Sequence, residues 1–399
     1  MTTLAVPEPR ISPELRASVY YFIQYMSGAV VTVYGGIWFA GQGLNSEQIG
    51  IINAVPVLIM LLLNVAVGRI ADRASDWRQV IVFGSVLAGL IPIGLFFVNG
   101  FWGILIVWTL LSLPAAAVGP VTDAATMRMT RRRGTHFGPI RAWGTVGYML
   151  MLILTGFIIA QLGGGIFLPM FVGLSLLRTL AAVGLPRFRG PERQDAPAPS
   201  GARHLREVMK PFFILPLIGF SMVFGTHIVL NAFQGLLWME QGFSADIIGP
   251  LLAVAAFSEA GLMFVFGRFA KRFSARSLIL ASAAVAVFRW SCMALQPGIE
   301  LLIPLQALNA ITFALGYMGS MHFIANWTGD EIAAEAQGFF QMLQQAMSVI
   351  ALVGFGWLTG MMGAKAYFVA AAFAGLGGLL IWLSIAMQGP KQAAEARLG

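Results

Sequence analysis

Apolar runs dominate this chain, and their length sets the first expectation. Runs of about 20 or more mostly apolar residues, enough to cross a hydrocarbon core roughly 30 Å thick, recur near 17–40, 47–68, 79–99, 102–127, 138–160, 164–184, 211–239, 246–268, 277–296, 300–327, 335–361 and 365–387. The pattern predicts an all-α integral membrane protein with twelve transmembrane helices. The longest polar stretch, PRFRGPERQDAPAPSGARHLREVMK from Pro186 to Lys210, divides the runs six and six. Its Pro, Gly and charge content reads as a flexible linker. The predicted organisation is a six-helix bundle over 1–185, a linker over 186–210, and a second six-helix bundle with a short tail over 211–399.

Composition agrees. The 399 residues are 58% hydrophobic and 11% charged, against roughly 25% charged in a typical soluble domain. The net charge of +8 and pI near 10.1 suggest nucleic acid at first, but the placement of the basic residues argues against it. Arg10 and Arg16 precede the first run, and Arg69, Arg73 and Arg78 follow the second. Arg131, Arg132 and Arg133 follow the fourth, Arg187 to Lys210 the sixth, Arg268, Lys271, Arg272 and Arg276 the eighth, and Lys391 and Arg397 the last. The alternate connections carry only Lys365. This is the positive-inside pattern, and it predicts cytoplasmic termini, a multi-pass protein of the bacterial inner membrane, and no nucleic-acid partner. The loop GDEIAAEA, acidic where basic residues are expected, takes its side from parity. The segment MTTLAVPEPRISPELR does not fit a secretory signal, so the first run is expected to remain in the mature protein. A single cysteine, Cys292, excludes an internal disulfide and reads as a small buried hydrophobe.

Charges inside the runs point to function, because burying one in a bilayer costs about 2.5–3.5 kcal/mol even on lenient scales. Asp123 lies eight residues before Arg131, and Arg141 eight residues after Arg133. At 1.5 Å per helical residue both sit roughly 12 Å inside the membrane edge, at matched depth on consecutive helices. Either they form a static pair stitching the two helices, or Arg141 holds a polar or anionic solute while Asp123 tunes it. Glu259 lies roughly 13 Å deep in LLAVAAFSEAGLMFVFG, with no charge near it in sequence. Arg289, near the midplane of the ninth run, is its expected partner, and His322 in the tenth is a third titratable member. Arg178 is close enough to Pro186 for its head to reach the cytoplasmic headgroups.

Two local signatures add a resemblance. Gly68-Arg-Ile-Ala-Asp72-Arg73 follows the second run, and Gly267-Arg-Phe-Ala-Lys271-Arg272 the corresponding run of the second half. The first resembles the loop 2–3 signature of the major facilitator superfamily, with Ser75, Asp76 and Trp77 departing from it. PVTDAATM…FGPIRAWGTVGY, GFSADIIGPLLAVAAFSEA, RFSARSLILASAAVAVFRW and LQALNAITFALGYMGSMHFIA resemble the phenylpropionate permease branch, relatives of the lactose permease. The resemblance implies two parallel bundles with a solute site near the midplane between them, an acid–arginine pair at Asp123 and Arg141, and a coupling network in spans 8 to 10. Gly68, Asp72 and Arg73 would form the conformational motif. Glu259, Asp123, His322 and Arg289 would handle protons.

Polar residues at helical spacing complete the candidate site. Tyr20, Gln24 and Ser27 or Gly28 share one face; His227, Asn231 and Gln234 another; Gln337, Gln341, Gln344 or Gln345, and Ser348 a third. Such stripes should face protein or water, not lipid. The bland alternative is hydrogen bonding between helices, worth about 0.6 kcal/mol each on average. Solute contacts are expected from Arg141, Asp123, Arg289, Gln24, Asn231, Gln234, Tyr317, Gln341 and Gln345. Tyr34, Trp38, Trp143, Phe233, Trp238 and Phe340 are aromatic neighbours able to stack on a ring. The sequence holds no metal-ligand spacing, nucleophile–base set or phosphate-cradling loop, which argues against an enzyme, and no soluble domain that would make it a sensor. The expectation is a monomeric secondary transporter without cofactor, energised by the proton gradient. Its partners are a small organic solute, protons and the lipid bilayer. A symporter importing a carboxylic, preferably aromatic, acid is favoured over an exporter or a carrier of sugars, nucleosides or peptide-like solutes.

Overall fold

The computed structural model describes residues 11–73, 76–188, 210–328 and 330–387, the side chains of 64–73, 330–332 and 334 excepted. The helices are α1 (Pro13–Gly41), α2 (Ser46–Arg73), α3 (Trp77–Phe96, its last turns 3₁₀ from Ile91), α4 (Gly100–Arg133), α5 (Phe137–Leu162) and α6 (Gly164–Val183). After the linker come α7 (Pro211–Glu240), α8 (Ala245–Ala270), α9 (Ala275–Ala294), α10 (Ile299–Trp327), α11 (Asp330–Met362) and α12 (Ala366–Ala386). Among the described residues ten stretches are long and apolar enough to cross a membrane, one of them running through α11 and α12. α1 is not among the ten; Tyr20, Tyr21, Gln24, Tyr25 and Ser27 dilute its apolar character.

Local chemistry sets the ends. Asp76 caps α3 by accepting the Arg78 backbone N–H at 2.9 Å, and Ser274 caps α9 by accepting that of Ser277 at 3.2 Å. Gly134 closes α4 at φ +67°, where a residue without Cβ is favoured.

The chain packs as two units. One comprises 1–31 and 62–194, the other 32–61 and 195–399. The covalent division at the linker and the packing division therefore differ by one hairpin, from the middle of α1 to the middle of α2. Small residues explain its attachment. A Cβ on Gly36 would strike the Ala232 carbonyl of α7, one on Gly235 would lie 2.5 Å from the Val33 carbonyl, and one on Gly50 would lie 2.5 Å from that of Leu352 in α11. Bare glycine faces let these backbones touch.

In the first unit a buried cluster of Tyr20, Tyr21, Trp77, Val121, Ile140 and Phe188 joins the ends of α1, α3, α4, α5 and the segment after α6. In the second, α7 is the central helix, meeting α12 through Gly219 and Gly377 and α11 through Gly225. α10 is not a uniform helix. Ile299–Ala307 and Gly316–Trp327 are α-helical, but Ala310–Leu315 between them is a π segment. Such bulges concentrate at functional sites, and this one carries the polar residues described next.

Candidate functional site

In the first unit, α4 and α5 bring Asp123 and Arg141 together as their depths suggest, with Arg141 Nε 3.7 Å from Asp123 Oδ1. That distance is at the long end for an ion pair. The shorter bonds come from two tyrosines of α1 that sequence reasoning missed. Tyr21 Oη donates to Asp123 Oδ1 at 2.6 Å, and Arg141 Nη2 donates to Tyr25 Oη at 2.7 Å. The guanidinium also lies 4.4 Å from the Tyr25 ring centre and 5.6 Å from that of Tyr21, inside the range of cation–π attraction. Tyr25 reaches this position because Gly144 is bare: a Cβ there would lie 2.8 Å from the tyrosine ring and 3.0 Å from Arg141 Nη1. Gly147, one turn on, lets α5 rest on the Phe22 carbonyl.

The Arg141 and Asp123 side chains retain 30% and 37% of their exposure, so an incoming group can reach both. Gln24 lies against Gly119, one turn from Asp123 on α4, and its buried Oε1 has no partner among the described residues. Tyr20, predicted on the same face, instead turns to α3 and bonds Ser85 Oγ at 2.8 Å.

The second unit holds a different arrangement. Arg289 of α9 is fully buried. Its Nη1 donates to Asn309 Oδ1 at 2.8 Å and Thr312 Oγ1 at 3.0 Å, and its Nη2 to Gln306 Oε1 at 3.0 Å. Glu259 of α8 is half-buried and accepts from Asn309 Nδ2 at 3.2 Å. The ion pairs among the described residues are Arg133–Glu14 and Arg141–Asp123. Arg289 and Glu259 are thus linked through one amide, not paired directly. The π segment and its flank supply Asn309 and Thr312, two residues that an apolar sequence run concealed.

His322 is not drawn into this network; it is half-buried in the last helical stretch of α10, thirteen residues from Asn309 and so about 20 Å along the axis. The histidine that joins is His227 of α7, whose Nε2 lies 2.8 Å from Thr312 Oγ1 and whose Nδ1 lies 2.9 Å from the Val223 carbonyl. Tyr317 stacks on Phe313 with ring centres 6.2 Å apart.

The amide stripes divide by burial. Asn231 and Gln341 are exposed, Gln345 is half-buried, and Gln234 and Gln344 are buried with their amide nitrogens unpartnered among the described residues. Phe233, Trp238 and Phe340 are buried, Phe233 on Phe355 and Phe340 on Phe220, so they pack the interior. Trp143 is half-exposed against Phe22.

Residues 15–370 match the MFS_1 like family. The chain belongs to that family. It is a multi-pass membrane transporter of the major facilitator type and not an enzyme. It is 25% identical over 348 residues to a probable 3-phenylpropionic acid transporter of Escherichia coli (strain K12), covering 84% of this chain and 86% of that one. The maltose permease of Geobacillus stearothermophilus is 27% identical over 70% of each chain, and the xanthosine permease of Escherichia coli (strain K12) 21% over 84% of each. Among solved structures the nucleoside transporter NupG superposes with a TM-score of 0.80 at 18% identity, covering 94% of this chain and 99% of that one. A bacterial homologue of the lysosomal transporter Spinster reaches 0.73 at 15% identity over 93% of this chain and 96% of the other. At such identities the structures share the fold.

Two further sequence expectations meet the structure in the first unit. The side chains of Gly68, Asp72 and Arg73 lie outside the described residues, although α2 continues to Arg73. Of the residues that depart from the family signature, Asp76 and Trp77 are described, and Asp76 with the neighbouring Arg78 ties the start of α3 to the chain at the end of α6. Asp76 Oδ1 accepts the Phe188 N–H at 3.0 Å, while Arg78 donates to the carbonyls of Leu185 at 2.8 Å and Val183 at 2.6 Å. Arg178, expected to reach for the headgroups, is instead buried, and its Nη2 donates to the Ala88 carbonyl at 2.7 Å. The reason is Pro92. Four residues after Ala88 it has no N–H to give, and Ile91 N–H bonds Leu87, so an arginine from α6 satisfies the orphaned carbonyl.

Proposed function

We propose that this transporter is a proton-coupled symporter that imports a small organic acid, an aromatic monocarboxylate in preference. Twelve spans carry it across the bacterial inner membrane as a monomer, with both termini cytoplasmic. Transport proceeds by alternating access, and the proton gradient drives the cycle with no cofactor. One observation carries the reading: Glu259, deep in an apolar helix, is half-buried, takes part in neither ion pair of the described residues, and accepts one amide hydrogen bond. A carboxyl so placed can take a proton when it faces water and pass it on. Arg141, partly exposed between two tyrosines, is the group that would meet a carboxylate. The 3-phenylpropionic acid named for one relative is such a solute. Coupling also answers an energetic need. An anion entering a negative interior meets about 2.3 kcal/mol of opposition per 100 mV, and one co-transported proton removes it.

The test is uptake of labelled 3-phenylpropionate into proteoliposomes under an imposed pH gradient. Wild type should accumulate the label, and Glu259→Gln should retain exchange but lose accumulation. Unchanged accumulation by Glu259→Gln between pH 5 and 8 would remove Glu259 from coupling. The exposed amides Asn231 and Gln341, with maltose and xanthosine permeases among the relatives, favour a hydroxyl-rich solute as the second reading. Maltose and xanthosine therefore belong in the same assay.

A further inference from the structure

Hydrogen bonds around Arg289 have a direction that can be read from chemistry alone. The Val223 carbonyl can only accept, so the Nδ1 that faces it at 2.9 Å carries the hydrogen of the His227 ring. In the neutral ring Nε2 is then bare and accepts, so the Thr312 hydroxyl donates across the 2.8 Å contact. With its hydrogen committed, Thr312 Oγ1 takes the Arg289 Nη1–H at 3.0 Å. The order is Arg289 to Thr312 to His227 to Val223.

The neighbouring residue runs a parallel course. Trp290 Nε1 donates to Thr226 Oγ1 at 3.0 Å, and Thr226 donates to the same Val223 carbonyl at 2.6 Å. Two adjacent residues of α9 thus end on one carbonyl of α7, each through a threonine.

The consequence falls on Asn309. Arg289 Nη1 also donates to Asn309 Oδ1, which leaves Nδ2 to face Glu259. With the guanidinium holding the amide oxygen, the nitrogen is the end of Asn309 turned to Glu259 as a donor. We propose that His227 and Thr312 are positioning residues for the proton step at Glu259. They hold Arg289 on Asn309 and keep the guanidinium from pairing directly with the carboxylate. The inference rests on the reading of Glu259 as proton carrier. The charged and titratable groups around the chain are Glu259 from α8, Arg289 from α9 and Tyr367 from α12, stacked on Trp290 at 6.2 Å. Tyr317 from α10 stands behind Phe313, whose ring centre is 5.5 Å from that of His227.

The test needs no solute. Infrared difference spectra of the full chain in liposomes follow the protonated-carboxyl band between pH 5 and 9, and Glu259→Gln identifies the band by deleting it. Thr312→Val and His227→Asn should displace its midpoint by at least about half a pH unit, about threefold in proton affinity. Thr312→Ser, which keeps the hydroxyl, should restore the wild-type value. A loss of packing alone would not be repaired by that hydroxyl. In the unmutated protein, ¹⁵N-histidine spectra should place the hydrogen of His227 on Nδ1. A Glu259 band that titrates identically in all three variants, or His227 with its hydrogen on Nε2, overturns the positioning role and leaves the Glu259 reading intact. A Glu259 band that does not titrate at all overturns the carrier reading, and the positioning role with it.

Discussion

Arg141 in the first unit and Arg289 in the second answer the same problem, a guanidinium inside a membrane, in opposite ways. Arg141 keeps 30% of its exposure, leans on two tyrosine rings and has a carboxylate at 3.7 Å. Arg289 has no exposure and is held by three neutral oxygens, from Asn309, Thr312 and Gln306. The first arrangement is loose enough to exchange its carboxylate for that of a solute. The second fixes a charge in place, with every bond from its two terminal nitrogens serving another residue. On the proposed function, the difference suits Arg141 to recognition and Arg289 to internal organisation.

Breaking Arg289 should have the largest effect. Arg289→Met strands three buried acceptors and should cost about 3–5 kcal/mol in stability, read by denaturation in detergent. Arg289→Lys, a point charge without the planar fork, should not restore uptake. Arg141→Lys sharpens the contrast. It keeps the charge at a half-open site, so stability should change by less than about 1 kcal/mol. The apparent KM for 3-phenylpropionate should rise about tenfold, the value of one charge-assisted hydrogen bond. Equal damage from both lysine variants would break the distinction.

Arg133, paired with Glu14 at 2.6 Å and 46% exposed, supplies the solvated end of the series, with Glu14 just before the apolar run that begins near residue 17 and Arg133 just after the one that ends near 127. Slight burial pushes the Glu14 carboxyl up, but the Arg133 bond, a backbone hydrogen bond and the Arg133 charge together outweigh it and hold the group below the usual glutamate range. Its contribution is therefore complete above the ordinary glutamate value of about pH 4.3 and fades as pH falls through the lowered folded value. Glu14→Gln should reduce Tm slightly at neutral pH, by less than about 1 kcal/mol in stability. The difference from wild type should disappear in acid and shrink with added salt.

Depth counting reached Asp123 and Arg141 because helical rise is constant and both helices start from one loop. It missed Tyr21 and Tyr25, since in YYFIQY a tyrosine reads as one more aromatic hydrophobe. The signal present was their i, i+4 spacing, which places both hydroxyls on the face that meets α4 and α5. Arg289 and Glu259 were legible as charges in apolar runs, but the amide between them was not. Asn309 and Thr312 sit in LQALNAITFALG, where no periodicity announces a π segment, and that segment decides where their side chains point. His322 stands out as a titratable group in α10, whereas His227, ionisable too, reads chiefly as part of a polar stripe. Arg178 was misplaced because its partner is an absence, the proton Pro92 does not have, and sequence distance hides it.

That last contact binds two positions into one heritable unit. Pro92 and Arg178 stand on different helices, yet the carbonyl of Ala88 makes each depend on the other. A lineage that restores an N–H at position 92 releases the arginine, and one that loses the arginine is under pressure to replace the proline. Among relatives of this transporter the two should appear and vanish together, a correlation written by a single hydrogen bond.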